Sequence, residues 1–116
     1  VYGPAWTLFG PEDTVNVVRA ITGWSDFSIA EMQEIGERRL AMMRAFNARE
    51  GLTRENDKLP KKFFKALKGT GPTAGVALVE ADIERAKDHY FEFAGYELAT
   101  GNPSTAKMAA LGLDWV

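Results

Sequence analysis

The chain has 116 residues, of which 46% are hydrophobic and 26% charged, a composition typical of a globular domain and not of a disordered or fibrous chain. Its net charge of −2 offers no broad cationic field, and no apolar run approaches the roughly 20 residues that span a bilayer, so we expect a cytoplasmic protein without nucleic-acid or membrane partners. Because there is no cysteine, these residues cannot form a disulfide, a thiol nucleophile or a thiolate-bound metal or iron–sulfur site.

Residues 1–10 form an apolar loop that we expect to pack on another surface. Helix signals follow directly, because Pro11 suits a first helical turn while Glu12 and Asp13 face the positive end of the helix dipole. Gly23 predicts the end of this first helix. Its apolar stripe comprises Val15, Val18, Ile21 and Thr22.

A long second helix is predicted between Ser28 and Gly51. Ser28 and Glu31 form a capping box, in which the hydroxyl accepts the backbone N–H three residues further on. Gly51 is predicted to end this helix. Phe46 is expected to be a core position. Positions at spacings of three or four form the stripe of this helix, namely Met32, Ile35, Arg39, Met43, Phe46 and Glu50.

After Gly51, the sequence predicts a short helix from Pro60 to Leu67 and then a mobile Gly- and Pro-rich loop at 69–78. A further helix is predicted at about 79–94, and a last short helix between Ser104 and Gly112. The inward side of the 79–94 helix is predicted to carry Ile83, Ala86, Tyr90 and Phe93. The segments 15–18 and 77–79 have residues typical of β-strands, but they are too short to form a sheet. We therefore predict an all-α fold, an irregular bundle of about five helices in a single domain over residues 1–116.

Two features could suggest chemistry. His89 is the only histidine, and its neighbours would allow a general base, but the adjacent Lys87 and Asp88 favour an exposed position on its helix. The glycines at 69–75 could suggest a phosphate cradle, yet the segment lacks a Gly-Lys-Ser/Thr ending and a preceding strand. We therefore nominate no catalytic residue and no metal ligand, and we interpret 69–75 as a surface loop.

Two sets of charged residues are interpreted as structural and not as catalytic. Lys61, Lys62, Lys65 and Lys68 lie on the short helix predicted from Pro60, where they are expected to be solvated, with a docking patch as the alternative. Most charges of the long helix also predict a solvated face. At the end of that helix, we expect a partly buried polar lock with the following loop, formed by Asn47, Arg49 and Glu50.

Several sequence segments are distinctive as an ordered combination. They are Gly36-Glu37-Arg38, then Arg44-Ala45-Phe46-Asn47-Ala48-Arg49-Glu50-Gly51-Leu52-Thr53-Arg54, then Asp57-Lys58-Leu59-Pro60-Lys61-Lys62-Phe63, then Tyr90-Phe91-Glu92 with Gly95-Tyr96, and finally Lys107-Met108 with Leu111-Gly112-Leu113-Asp114-Trp115. This combination resembles the C-terminal region of the aldehyde:ferredoxin oxidoreductase family. The resemblance touches nearly the whole chain, and the loop at 69–78 is its least distinctive part.

The resemblance implies an enzyme that oxidises aldehydes to carboxylic acids. Its family uses a tungsten or molybdenum bis-pterin centre and a 4Fe-4S cluster that passes electrons to ferredoxin. By the same resemblance this chain is part of the helical wall around these cofactors, inactive alone and binding none of them by itself. Its partners would be the remaining domains of the parent enzyme, with ferredoxin as the electron acceptor.

The start of the chain is interpreted through the same family pattern. The family's last cluster cysteine precedes an apolar, Pro-containing loop and a Gly-Pro-Glu helix start, which residues 1–12 resemble. We therefore expect an excised fragment whose cysteine lay immediately before Val1, and we place Val1 and Tyr2 beside the cluster and pterin. An exposed apolar loop from Val1 to Phe9 would also promote self-association of the isolated fragment.

Departures from the family pattern leave the substrate and subfamily open. Phe93-Ala94 stands where Leu-Arg is often found, and Tyr96 where Trp is common. Two alternatives from other classes also stay open at this point. One is a free-standing helical interaction module that docks through its aromatic loop or its lysines, and the other is a small enzyme that uses His89.

Overall fold

Local capping signals decide where the helices of this chain begin and end. The computed structural model describes residues 9–116, which contain four α-helices and two short 3-10 helices. The α-helices are α1 (Pro11–Thr22), α2 (Ile29–Arg49), α3 (Glu80–Ala94) and α4 (Thr105–Ala110), and the 3-10 helices are η1 (Arg54–Asn56) and η2 (Lys61–Phe64). In this described part there is no strand, only an isolated bridge between Tyr96 and Pro103. The predicted all-α class is confirmed.

The N-terminal caps follow the sequence signals. Gly10 donates its backbone N–H to the Asp13 carboxylate over 2.7 Å at the start of α1. At the start of α2, the Ser28 hydroxyl accepts the backbone N–H of Glu31 over 3.2 Å, as its capping signal predicts. Each bond satisfies a donor that the first helical turn cannot use internally, which is why these helices start where they do.

The C-terminal stops of α2 and α3 share one hydrogen-bond pattern. After α3, Tyr96 donates to the carbonyl of Phe91 over 2.7 Å and Gly95 to that of Glu92 over 3.1 Å. This pattern requires a left-handed residue, and Gly95 adopts it with a φ of 74°. Gly51 ends α2 in the same way. The predicted bounds of these two helices are therefore confirmed to within a residue or two.

One predicted helix is wrong. The segment from Pro60 to Leu67 forms only the single turn η2, because its backbone pairs with a later segment instead of with itself. Leu78 donates to the carbonyl of Phe63 over 3.0 Å, and Leu67 donates to that of Val76 over 2.9 Å. These bonds fasten the exposed Gly- and Pro-rich segment at both ends, while its mobility stays a prediction.

Contacts divide the chain into two compact units, with the boundary inside α2 between Leu40 and Ala41. Among residues 9–40 of the first unit, the buried apolar side chains are those of Val15 and Phe27. The Arg19 guanidinium donates to the carbonyl of Phe27 over 2.7 Å, which fastens the turn after α1 to that helix. The prediction of a single domain stays a prediction.

The second unit has a core built on small and medium-sized side chains. Ala41, Leu111 and Leu113 form a buried cluster, with Met108 packed against it. Phe91 of α3 is also buried, at 3% exposure. The core therefore uses the alanine side of α2, which allows close approach of the C-terminal segment.

The predicted inward faces of α2 and α3 are wrong in several positions. Phe46, Tyr90 and Phe93 were all predicted to face inward. Their side chains are instead 52%, 51% and 90% exposed. Ala86 is exposed as well, and on α1 Ile21 lies out of the core although Val15 is buried as predicted. The reason is that apolar spacing marks a face able to bury surface, whereas the partner that covers it is chosen by tertiary packing.

Candidate docking surfaces and the polar cluster of the second unit

A polar cluster joins the end of α2 to η1, α3 and the turn that follows α3. It contains three cations and three carboxylates, namely Arg44, Arg54, Asp57, Glu84, Lys87 and Asp88. We call these six residues the polar cluster. Because its charges balance, its members can be held together without leaving a charge unpaired.

Arg44 occupies the centre of the cluster through three hydrogen bonds. Its Nη1 and Nη2 donate to the two carboxylate oxygens of Asp57 over 2.9 and 2.6 Å, and its Nε donates to the carbonyl of Gly101 over 2.8 Å. The guanidinium fork matches a carboxylate in this bidentate geometry. Hydrogen bonding from Arg44 also holds the pKa of Asp57 below its ordinary value, so the ionised pair is the favoured form.

Arg54 extends the cluster from η1 to α3. Its Nη1 donates to Asp88 over 2.7 Å and to the carbonyl of Leu98 over 2.6 Å, and its Nη2 donates to Glu84 over 3.0 Å. Hydrogen bonds from Lys87 and then from Arg54 lower the pKa of Glu84. One side chain therefore fastens η1 both to the helix and to the following turn.

Lys87 closes the cluster over the end of η1. Its ammonium group donates to Glu84 over 2.8 Å and to the backbone carbonyls of Asp57 and Arg54 over 3.2 and 3.5 Å. Carbonyls at a helix end carry partial negative charge, which a cation stabilises. The lysine is thus a capping residue for η1 and not a free nucleophile.

The Phe91 ring lies beneath both guanidinium groups. The central carbon of Arg54 is 5.5 Å from the ring centroid and that of Arg44 is 6.0 Å away, within reach of a cation–π contact. Gly101 completes this packing, since an added Cβ would lie 2.7 Å from Arg44 Nη2 and 2.8 Å from the Phe91 ring. Its φ of 69° is a second reason for glycine at this position.

The predicted polar lock lies where it was expected, but Arg49 and Glu50 do not belong to the ion pairs that form it. Arg44, Arg54 and Asp57 form it, whereas Arg49 lies with its guanidinium 5.6 Å from the Phe46 ring centroid, and Glu50 is exposed. The sequence pattern assigned Arg44 to the solvated face of α2 because its partners are 13 and 57 residues away. Arginine and aspartate are suited to a bidentate pair, but the spacing of Arg44 and Asp57 in the sequence does not indicate that they meet.

The features considered for catalysis do not converge. His89 is exposed on α3, so the surface interpretation is confirmed. Over residues 9–116 there is no group of three or more His, Asp or Glu side chains able to hold a metal ion. Val1 and Tyr2 lie outside the described residues.

The Gly- and Pro-rich loop is not arranged as an anion site. Ala74 donates its N–H to the carbonyl of Gly71, Gly75 to that of Leu67, and Val76 to that of Thr73. A phosphate cradle needs such N–H groups to point at the ligand, and here they are used within the loop. These bonds support the interpretation as a surface loop.

The first candidate docking surface is a shallow apolar groove beside this loop. Its lining residues are Lys62, Phe63, Lys65, Leu67, Val76, Ala77 and Leu78. We call it the lysine groove. Its aromatic and aliphatic side chains are partly open to solvent and its lysines are exposed, as predicted for this segment.

The second candidate docking surface consists of apolar positions that the described core leaves uncovered. In the second unit these outer apolar positions are Met43, Phe46, Tyr90 and Phe93. Apolar side chains in such numbers on two helices are characteristic of surfaces that contact another protein segment. No helix among residues 9–116 is long and apolar enough to cross a membrane.

Comparison of the sequence with known proteins places the chain in a family of oxidoreductases. The family described as "Aldehyde ferredoxin oxidoreductase, domains 2 & 3" matches residues 4–113. A tungsten-containing aldehyde ferredoxin oxidoreductase from Pyrococcus horikoshii is 30% identical over 106 residues, which cover 90% of this chain. The matched region spans only 17% of the length of that relative.

Proposed function

Because the chain belongs to the aldehyde ferredoxin oxidoreductase family, we propose that it forms part of the helical wall around the cofactors of a tungsten- or molybdenum-containing enzyme. In this proposal the complete enzyme oxidises an aldehyde to a carboxylic acid and passes electrons through a 4Fe-4S cluster to ferredoxin. The tungsten in the name of the relative favours tungsten as the metal.

The observation that supports a wall role is the exposure of large apolar side chains at regular helical positions. Phe93 is 90% exposed, and Tyr90, about one helical turn before it on α3, is 51% exposed. A segment that folds around a small core and presents such positions is suited to pack against further domains. The proposed partners of the outer apolar positions are the remaining domains of the enzyme.

The described residues offer no ligand set for an iron–sulfur cluster or a metal ion. The chain has no cysteine for a cluster, and residues 9–116 bring no metal-binding group of His, Asp and Glu together. The proposed contribution of the chain is therefore to exclude water and to position neighbouring segments. The polar cluster supports this role, because it holds η1, α3 and the turn after α3 in one arrangement.

Val1 and Tyr2 are the proposed neighbours of the cluster and pterin. Burial around an iron–sulfur cluster is one of the factors that set its reduction potential. Replacing Tyr2 by Ser in the complete enzyme should therefore shift the cluster potential or lower its occupancy. Redox titration with iron quantification checks this, and an unchanged potential with full iron content would remove Tyr2 from the proposal.

The experiment that tests the function uses the native protein expressed from its own gene under anaerobic conditions. Metal quantification and aldehyde-dependent reduction of a viologen dye or ferredoxin are the measurements. We expect tungsten or molybdenum together with iron, and activity with aldehydes. A native protein without these metals and without activity would instead support the free-standing interaction module.

The role of the outer apolar positions is tested in the same protein. Phe93→Glu should reduce metal content and activity together, because a charge at this position disfavours packing against another domain. Glu92→Gln is the matched control, since Glu92 is an exposed neighbour on α3. Equal metal content and activity in Phe93→Glu and the control would mean that this position contacts no other domain.

A further inference from the structure

The residues of the lysine groove come from a segment that is basic, although the chain as a whole is slightly acidic. Residues 58–79 contain five of the 14 basic residues and none of the 16 acidic residues of the chain. The remainder of the chain therefore has a clear excess of acid. A local cationic region on an otherwise acidic protein attracts acidic groups only where they meet that region.

Backbone pairing gives this region a defined shape. The bonds from Leu78 to Phe63 and from Leu67 to Val76 hold the two sides of the groove together at 3.0 and 2.9 Å. Phe63, Leu67, Val76 and Leu78 provide its apolar lining. The groove therefore lies between two backbone-paired segments of the second unit.

The lysines around the apolar lining are available for a partner. The ion pairs found in residues 9–116 use Arg38, Arg44, Arg54, Arg85 and Lys87, and none of them involves a lysine between 58 and 68. Lys62 lies with its ammonium nitrogen 5.4 Å from the Phe63 ring centroid, at the edge of the apolar lining. Lys65 also lines the groove.

We propose that the lysine groove is the docking site of an acidic protein, which inserts an apolar side chain between Phe63 and Leu78 while its carboxylates pair with the surrounding lysines. An apolar centre with a charged rim is the usual anatomy of a protein–protein interface. A nucleic acid or an anionic membrane would extend beyond the groove, and the rest of the chain has more acidic than basic residues, which disfavours such large anionic partners. This inference goes beyond the proposed function and does not depend on it.

The test uses the native protein and a fluorescent synthetic peptide in which Asp and Glu flank a central Leu-Phe pair. Binding is measured by fluorescence anisotropy at low and high salt. We expect saturable binding that weakens on the order of tenfold at high salt, because exposed charge pairs are screened. A peptide of the same charge in which Leu-Phe is replaced by Ser-Ser should bind about fivefold more weakly, since it lacks the apolar contact.

Two double variants with the same change in net charge distinguish binding in the groove from attraction to the overall charge of the protein. Lys62→Glu with Lys65→Glu should weaken peptide binding about tenfold or more, because both lysines line the groove. Arg39→Glu with Arg85→Glu changes two exposed cations elsewhere and should retain most of the binding. Circular dichroism and thermal unfolding check that both double variants are folded.

Several outcomes would overturn the proposal. Equal weakening by the two double variants would show attraction to overall charge, and equal binding of the Ser-Ser peptide would show that the apolar lining takes no part. Tighter binding of single-stranded DNA or of phosphatidylserine vesicles than of the peptide would assign the groove to another class of partner. Leu67→Ser is a further check, because it should weaken binding of the Leu-Phe peptide while preserving the lysines.

Discussion

Arg44 connects three segments that are far apart in the sequence. It lies on α2 and bonds to Asp57 after η1 and to Gly101 in the turn after α3, while its guanidinium contacts the Phe91 ring. An arginine with this many partners contributes through its donor geometry as well as its charge. A lysine at this position could not reproduce the fork, so charge conservation alone would not preserve the contact.

Replacing this arginine should be costly to stability. Arg44→Met keeps much of the side-chain volume but removes three hydrogen bonds, leaving Asp57 and the Gly101 carbonyl without their donor. We expect the free energy of unfolding to fall by about 2 to 3 kcal/mol, the range for hydrogen bonds to charged groups. Urea denaturation followed by circular dichroism measures it.

The control for Arg44→Met is Arg38→Met on the same helix. Arg38 pairs with Glu34 one turn away, and both side chains are largely exposed. Such a pair contributes roughly 0.5 kcal/mol or less. If the two substitutions cost the same, Arg44 would not have the central role assigned to it.

The Asp57 carboxylate should make stability dependent on acid pH. Its pKa in the folded protein is lowered by Arg44, so the folded state favours the ionised form, and this stabilisation is present above the ordinary pKa of an aspartate. It is lost as the pH falls through the lowered value. The difference in unfolding free energy between the native chain and Asp57→Asn should therefore be largest near neutral pH and shrink below about pH 4.

Urea titrations of both proteins at several pH values between neutral and strongly acid check this dependence. Comparing the two proteins matters, because Glu84 also has a lowered pKa and contributes acid sensitivity to both. A difference that stays constant across the acid range would show that Asp57 does not titrate with the pair.

At the scale of elements, α3 has one buried aromatic side chain, Phe91, and two exposed ones, Tyr90 and Phe93. Phe91 is covered by guanidinium groups and by the stacked ring of Tyr96, whose centroid is 6.5 Å away. Phe93 is two residues further along and points to another side of the helix, since successive residues differ by about 100°. The helix therefore divides its aromatic residues between the interior of the second unit and an outer surface.

This division predicts effects of very different size on the free energy of unfolding for two phenylalanines of α3. Phe91→Ala should lower the free energy of unfolding by about 3 to 5 kcal/mol, as is typical for a buried phenylalanine. Phe93→Ala in the same chain should change it by roughly 0.5 kcal/mol or less, because little of its surface is covered. Urea denaturation measures both, and a cost for Phe93→Ala similar to that for Phe91→Ala would contradict the exposed position.

The helix α2 shows the same division. Its alanine side contributes Ala41 to the buried cluster, whereas Met43 and Phe46 lie exposed on another side. Large apolar residues of a helix normally face a core. Their exposure here supports the proposal that further domains cover this surface.

At the scale of the whole molecule, the uncovered apolar side chains should affect solution behaviour. The isolated 116-residue chain is expected to self-associate with increasing concentration, because burying such surface is favourable whichever protein covers it. The double variant Phe46→Gln, Phe93→Gln should reduce this association. Sedimentation velocity over a range of concentrations measures the effect.

The control for this association is Glu92→Gln, which alters an exposed polar residue on the same helix as Phe93. It should associate as the unmodified chain does. If the Phe46 and Phe93 double variant associated as strongly as this control, the contacts would have to lie at other exposed apolar residues, such as Ile21 or Trp115.

The sequence by itself determined the bounds of α2 and α3 and the family. Ser28, Gly51 and Gly95 act through hydrogen bonds within about six residues, so the bounds of α2 and α3 follow from local chemistry. The ordered motifs identified the oxidoreductase family that the comparisons then showed. The exposed position of His89 was predictable from its charged neighbours.

Only the tertiary structure decided which helix faces are covered and which charges pair. The partners of Arg44 lie 13 and 57 residues away, and the backbone that shortens the helix after Pro60 pairs with residues 76 and 78. Apolar spacing indicates that a face can be buried, yet it carries no information about the distant segment that buries it. That choice depends on the sum of contacts in the folded chain, which is why Ala41 and Phe91 are covered while Phe46 and Phe93 remain exposed.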